Sequence, residues 1–243
     1  MRMLTFARRC AREILRDPLN LLFGLGFPVV LLLLLSAIQA NVPVALFEIA
    51  HLTPGITVFG LSFLTLFSAT LVARDRETAF LQRLYTTPLK PVEYILGYLL
   101  PMVPIAVAQC AVCYGVAVML KLPVTVNILY AIVMILPVTV FYIALGLLCG
   151  SVLNVKQVGG VCGGLLTNVS AWLAGVWFDL ELVGGAFQKI ASYLPFFHGV
   201  ELERAALRGD TTAVICHSLP VAAYAAGMLL VAVLLFLRQM KKQ

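Results

Sequence analysis

Long apolar stretches separated by short polar ones dominate this chain. A transmembrane helix needs about 20 predominantly apolar residues, and six stretches meet that length. The pattern predicts spans at about Leu19–Gln39, Pro54–Ala73, Tyr94–Met119, Ile128–Val152, Val158–Trp177 and Ala213–Leu237. Pro101, Pro104 and Pro137 lie inside these runs, where membrane helices tolerate proline, so we expect kinks there and no breaks.

The leader Met1–Pro18 combines five arginines with an apolar stripe at helical spacing. This pattern predicts an amphipathic helix on the membrane surface. A signal peptide is the competing interpretation, but its apolar core has roughly 7–15 residues. The run Leu19–Gln39 extends for 21 residues without a charge, so we expect a retained anchor.

The stretch Arg74–Glu93, between the second and third spans, reads RDRETAFLQRLYTTPLKPVE and opens with four consecutive charged residues. Four charges at the bilayer centre would cost on the order of 10 kcal/mol, so the chain must leave the membrane here. Apolar residues then recur at helical spacing until Pro88, which predicts a short amphipathic helix. Such a helix either lies on lipid headgroups or docks its apolar face into a groove on a soluble partner.

The segment Phe178–Thr212, before the last span, carries five acidic residues yet is too apolar for a plain solvated loop. Leu182–Leu194 and Gly199–Leu207 are each predicted to form a short helix. An ordinary external cap would account for this pattern.

The distribution of basic residues along the chain predicts its orientation in the membrane. With the amino terminus inside, thirteen of the 17 Lys and Arg residues lie in inner segments and four in outer segments. This excess places both termini and Arg74–Glu93 in the cytoplasm. We therefore predict one transmembrane domain over residues 1–243, with an amphipathic helix at 1–18, a six-span bundle at 19–237 and a cytoplasmic tail at 238–243.

Composition excludes several classes of function. The chain of 243 residues is 62% hydrophobic and only 12% charged, far from a soluble domain. It contains no G-x-x-x-x-G-K-[ST] phosphate loop, so ATP would have to bind another polypeptide. The net charge of +6 flanks the spans, which favours topology and anionic lipid over nucleic acid as its explanation. The six cysteines lie mostly in apolar runs, and no metal or catalytic motif accompanies them or the three histidines.

Small residues and aromatics mark positions inside the spans. G-x-x-x-G spacing lets helix backbones approach closely. The candidate packing glycines are Gly146, Gly150, Gly159, Gly160, Gly163 and Gly164. Phe59, Phe63 and Phe67 form one stripe of the second span, which faces lipid, a neighbouring helix or a transport cavity. The candidate pathway residues are Phe59, Phe63, Phe67, Asn168 and Trp172.

Arg74–Leu100 resembles the segment after the second span in permease subunits of the type 2 ABC transporter superfamily, the exporter-like class. Arg16-Asp17-Pro18, Thr53-Pro54-Gly55 and Leu194-Pro195 occur in the order found there. The resemblance implies an all-α bundle of six spans, a cytoplasmic coupling helix and an outer re-entrant helical segment. The coupling residues it implies are Arg76, Glu77, Phe80, Leu81, Arg83, Leu84, Tyr85, Thr87 and Pro88.

The resemblance also implies a function. It predicts the permease subunit of an ATP-driven exporter in the cytoplasmic membrane, moving a drug, a lipid or a lipid-linked glycan. The expected partners are a cytoplasmic ABC ATPase, which binds ATP and Mg, a second permease copy or homologue, and membrane lipids. No cofactor is expected on this chain. The alternative is a membrane assembly or scaffold protein that transports nothing, and an adjacent reading frame with a phosphate loop would favour the transporter.

Overall fold

The computed structural model describes residues 2–42, 45–78 and 91–241, and these form helices and connecting turns without any strand. The helices are Arg2–Leu15 (α1), Pro18–Leu21 (α2), Phe27–Asn41 (α3), Ile49–Glu77 (α4), Pro91–Met119 (α5), Val126–Val152 (α6), Val155–Val158 (α7), Thr167–Leu173 (α8), Leu180–Val183 (α9), Gly185–Tyr193 (α10), Pro195–Arg208 (α11) and Thr211–Lys241 (α12). Segments of π-helix at Leu22–Gly26 and Gly159–Leu166 join α2 to α3 and α7 to α8, and a 3₁₀ turn covers Ala45–Phe47.

Within these ranges, five helical stretches are long and apolar enough to cross a membrane. They are Leu22–Asn41, Ile49–Glu77, Val92–Met119, Val126–Val152 and Thr211–Leu235. They coincide with five of the six predicted spans, which confirms an all-helical, multi-pass membrane protein. The remaining one, Val158–Trp177, is built from α7, the second π-helical segment and α8, and its helix ends at Leu173. The count of six spans therefore stays a prediction.

Helix α4 is the centre of the bundle. In its most apolar window 89% of the residues are buried within the chain, against 22% in the first span and 17% in the last. It packs against α3, α5, α6, α11 and the second π-helical segment. Buried polar groups tie it to its neighbours, because an unsatisfied polar group is costly in hydrocarbon. The Thr65 hydroxyl donates to the Tyr142 carbonyl at 2.7 Å, and the Gln109 amide donates to the Thr57 carbonyl at 3.0 Å.

Two charged clusters lie at opposite ends of α4. At its start, the carbonyl of His51 accepts from Arg204 of α11 at 3.5 Å. Near its end, Asp75 binds Arg9 of α1. A helix of this length spans about 40 Å, close to the thickness of a bilayer with its headgroups. The charges are thus placed where a membrane-embedded chain meets water.

Helix α1 carries an apolar stripe, and part of this stripe packs against the bundle. Phe6, Cys10 and Ile14 are buried against the bundle. The Phe6 ring packs edge-on against Tyr98 of α5 at 4.9 Å between centroids. Leu15, by contrast, remains 61% exposed. The leader is therefore docked on the ends of α4 and α5 and keeps only part of its apolar surface for lipid.

The segment before the last span folds into three short helices, α9, α10 and α11. The predicted helix at Leu182–Leu194 is interrupted because Gly184 and Gly185 both have positive φ, which ends α9 and starts α10. Helix α11 begins at Pro195, whose fixed φ suits the first turn, and ends at the left-handed Gly209. It covers more residues than the predicted Gly199–Leu207, and it packs against α4, α6 and α12.

Candidate coupling and pathway sites

The structure describes the predicted coupling segment only at its two ends. Phe80, Leu81, Arg83, Leu84, Tyr85, Thr87 and Pro88 lie outside the described residues. Arg76 and Glu77 lie inside them, in the last turn of α4. Their contacts show what the segment is attached to.

Arg76 and Glu77 join the end of α4 to the turn between α6 and α7. The Arg76 guanidinium donates to the carbonyl of Ser151, and to that of Leu153 at 2.7 Å. These carbonyls lie at the end of α6, where helical acceptors lack intrahelical partners and a cation is favoured. The Glu77 carboxylate accepts from the backbone N–H of Val155 at 2.9 Å, at the start of α7, where an anion is favoured. Arg76 thus binds the end of α6 and Glu77 binds the start of α7, on either side of the turn between these helices.

Asp75 joins the same end of α4 to α1 and α5. Its carboxylate accepts two hydrogen bonds from Arg9, both at 2.7 Å, and one from the Tyr98 hydroxyl at 2.8 Å. Asp75 is only 1% exposed, and the bidentate pair offsets the cost of burying its charge. The hydrogen bond to Asp75 raises the pKa of Arg9 above its ordinary value. The sequence pattern predicts that these four charges form one water-facing cluster, and it does not reveal that Asp75 is buried.

The three phenylalanines predicted to line the pathway lie in an aromatic cluster inside the chain. Phe59, Phe63 and Phe67 are 6%, 8% and 3% exposed. Phe63 packs edge-on against Phe27 of α3 at 5.5 Å, and Phe59 against Trp177 at 5.3 Å, between ring centroids. The stripe therefore contacts α3 and the chain that follows α8. Its part in a pathway stays a prediction, which requires these helices to separate during transport.

Asn168 and Trp172 occupy a different environment. Trp172 is 47% exposed. The Asn168 amide, also exposed, donates to the Gly164 carbonyl at 2.7 Å within its own helix. Both belong to the stretch from Gly159 to Leu173, part of whose surface is open. Their role in substrate contact also stays a prediction.

The candidate packing glycines divide into two groups. A Cβ on Gly146 or Gly150 would lie 2.5 Å from the carbonyl oxygen of Thr65 or Ala69, so α6 packs directly on the α4 backbone there. A Cβ on Gly159, Gly160 or Gly164 would meet nothing within 4 Å, and one on Gly163 would approach only the Leu66 side chain, at 3.3 Å. The first group packs helices of this chain together, and the second lies on an open surface.

Glu203 lies in the predicted outer segment Phe178–Thr212, and its burial was not predicted from the sequence. It is fully buried on α11 and accepts a hydrogen bond from the Tyr114 hydroxyl of α5 at 3.0 Å. Its second oxygen, Oε1, has no hydrogen-bond partner among the described residues. Burial raises the pKa of Glu203 to about 8. Its helical spacing from Gly199 and Val200, which also face inward, was the available signal.

Two histidines meet beside this helix. The Nδ1 atoms of His198 on α11 and His217 on α12 are 2.9 Å apart, a hydrogen-bond distance that requires one Nδ1–H and one bare nitrogen. Burial lowers the pKa of His198, and so does the neighbouring imidazole. The pair therefore holds α11 against α12 in its neutral form.

The architecture is that of an all-helical membrane protein whose central span is tied at one end to a leader helix and to two neighbouring spans. The model of the ABC-2 type transporter family matches residues 2–207, and the chain belongs to that family. The resemblance read from the sequence is thus confirmed. No curated protein matches the chain. Members of this family are transporter permeases, membrane components that are normally not catalytic and normally work with an ATPase subunit.

Proposed function

We propose that this chain is the permease subunit of an ATP-driven exporter in the cytoplasmic membrane. It moves a hydrophobic or amphiphilic substrate by alternating access, and a separate ATPase supplies the energy. Both termini and residues 74–93 face the cytoplasm. Two copies of the chain, or one copy and a homologous permease, pair with two ATPase subunits that carry ATP and Mg.

The observation that carries this proposal is the set of contacts around Asp75, Arg76 and Glu77. Through them the last turn of α4 is bonded to α1, to α5 and to the turn between α6 and α7. A force applied to the chain just after Thr78 is transmitted to all of these elements together. A coupling segment needs such an attachment, since a helix resting passively on headgroups would move without moving the bundle.

The character of the spans supports an apolar cargo. The aromatic stripe of α4 offers an apolar wall, and the spans carry no charged residue at mid-height. The first and last spans leave most of their surface uncovered within one chain. That surface suits lipid or a second permease. In this proposal the stripe joins the pathway when α3 moves away from α4.

Nucleotide photolabelling tests whether ATP binds to a separate ATPase subunit and not to this chain. We expect the tagged chain, purified from its native cells under mild conditions, to retain an ATPase that takes up all specific, saturable label. After high salt removes the partner, the chain alone should show only background label, because it has no phosphate loop. Saturable labelling of the isolated chain would contradict the proposal. Reproducible purification without any ATPase would favour an assembly or scaffold protein instead.

A further inference from the structure

A basic cavity lies where α1, the turn before α2 and the end of α4 meet. Its volume is about 600 Å³. The charged residues that line it are Arg9, Arg12, Arg16, Arg74, Glu13 and Asp17. Four arginines against these two carboxylates and Asp75, which binds Arg9, leave an excess of one positive charge.

The two groups of arginines differ in their partners. Arg9 binds Asp75 and Glu13, the latter at 3.0 Å, and Arg74 lies 3.9 Å from Glu13. Arg12 and Arg16 are exposed and form no ion pair within the described residues. Glu13 and Asp75 therefore engage Arg9 and Arg74, and Arg12 and Arg16 supply the positive charge left in the cavity. An anion entering the cavity meets these two guanidinium groups, whose planar donors match phosphate oxygens.

Exposed apolar residues follow the residues of the cavity along the chain. Leu15 and Leu22 are each 61% exposed, and Phe23 is 46% exposed at the start of the first span. Only 22% of the most apolar window of that span is buried. A free phosphate would use the arginines and leave this surface in contact with water. A phospholipid uses both, since its phosphate reaches the arginines and its acyl chains cover the leucines.

We propose that this cavity binds the phosphate headgroup of an anionic phospholipid from the leaflet that contains α1, with Arg12 and Arg16 as its ligands. The acyl chains lie along Leu15, Leu22 and the open side of the first span. The bound lipid stabilises α1 beside the start of the first span, because its headgroup binds the leader and its acyl chains lie along that span. The exporter role and this lipid site are independent, so either can fail without the other.

The test compares two doubly substituted chains of equal net charge. R12Q/R16Q removes the proposed ligands, and R8Q/R238Q removes two exposed arginines outside the cavity. Each full-length chain is placed in neutral detergent, and binding of phosphatidylglycerol, phosphatidylcholine and inorganic phosphate is measured by native mass spectrometry and thermal unfolding. A monodisperse size-exclusion profile verifies that every variant is folded.

We expect the unsubstituted chain to bind phosphatidylglycerol and to unfold at a higher temperature with it than with phosphatidylcholine. R12Q/R16Q should bind phosphatidylglycerol about thirtyfold more weakly, the order expected for two lost charge contacts. R8Q/R238Q should bind normally, and R12K/R16K should recover part of the affinity. An equal loss in both glutamine variants would overturn the site, because it would indicate general charge attraction. Inorganic phosphate that binds as tightly as the lipid would assign the cavity to a free anion and overturn the lipid assignment.

Discussion

Glu203 has one hydrogen-bonded oxygen, one unpartnered oxygen and no exposed surface, and burial raises its pKa to about 8 from an ordinary value of 4.5. Between these two values the folded chain keeps a proton that the unfolded chain releases. The free energy of unfolding must therefore fall as pH rises through this window. Each pKa unit is worth about 1.4 kcal/mol, so the full effect is on the order of a few kcal/mol.

Glu203→Gln should remove this pH dependence, because the amide accepts the Tyr114 hydrogen bond without carrying a titrating proton. We expect the variant and the unsubstituted chain to have similar unfolding temperatures at pH 5. At pH 8.5 the variant should unfold several degrees higher. Tryptophan fluorescence during heating in detergent measures this, with the exposed Glu181→Gln as control. Parallel pH curves for Glu203→Gln and the unsubstituted chain would show that Glu203 is ionised at no cost.

The environment of the four adjacent charged residues at the end of α4 was only partly predictable from the sequence. Four consecutive charges predicted that the chain leaves the apolar region there. They did not indicate that Asp75 turns inward to Arg9 and Tyr98, while Arg74 stays 52% exposed at its side chain. The partners lie 66 and 23 residues away in the chain. Local patterns contain no information about contacts over such separations, so burial of a charge has to be observed.

At the scale of elements, the contact between α4 and α6 depends on two glycines. A side chain on Gly150 would overlap the Ala69 carbonyl oxygen, a backbone atom that cannot move without displacing α4. Overpacking of this kind typically costs about 1–3 kcal/mol. Gly160 provides a matched control in the second π-helical segment, because a Cβ there would meet nothing within 4 Å.

Gly150→Leu should therefore lower the unfolding temperature of the purified chain by several degrees, and Gly160→Leu should leave it unchanged. Thermal unfolding in detergent, followed by tryptophan fluorescence, provides the comparison. If Gly160→Leu instead prevents two permeases from associating while each copy remains folded, the open glycine surface is a seam between subunits. Equal unfolding temperatures for Gly150→Leu and the unsubstituted chain would contradict the close packing of α4 and α6.

Helices were the most predictable part of this fold, and their ends the least. Continuous apolar runs determined where five membrane helices lie, because a helix satisfies its backbone hydrogen bonds within its own segment. Helix α4 nevertheless begins at Ile49 and ends at Glu77, beyond the predicted Pro54–Ala73 at both ends. Its last turn is helical through four charges because α1, α5 and α6 supply their partners. The hydropathy pattern ends the predicted span before the charged residues, because it contains no information about their partners in other helices.

At the scale of the whole molecule, we propose that movement of the ATPase in the cytoplasm is transmitted to α4, the central helix of the bundle. The attachment points of the last turn of α4 are observed, and the segment that receives the push is predicted from sequence. Leu84 and Tyr85 belong to the apolar face of that segment. An aromatic anchor in a partner groove is worth about 2 kcal/mol or more. Its loss should reduce the docked population about thirtyfold.

The most direct measurement is the amount of ATPase that co-purifies with the chain, together with its rate of ATP hydrolysis in liposomes. We predict that the double substitution Leu84→Ser and Tyr85→Ser releases the ATPase during purification, or leaves it bound with hydrolysis that no longer drives transport. The same chain should still insert, because no predicted span is altered. Gln82→Ser with Thr86→Ser, on the polar positions of the same segment, should retain the wild-type ratio. A Leu84/Tyr85 variant with the wild-type ATPase ratio and wild-type transport would contradict the coupling role and leave the segment an ordinary interfacial helix.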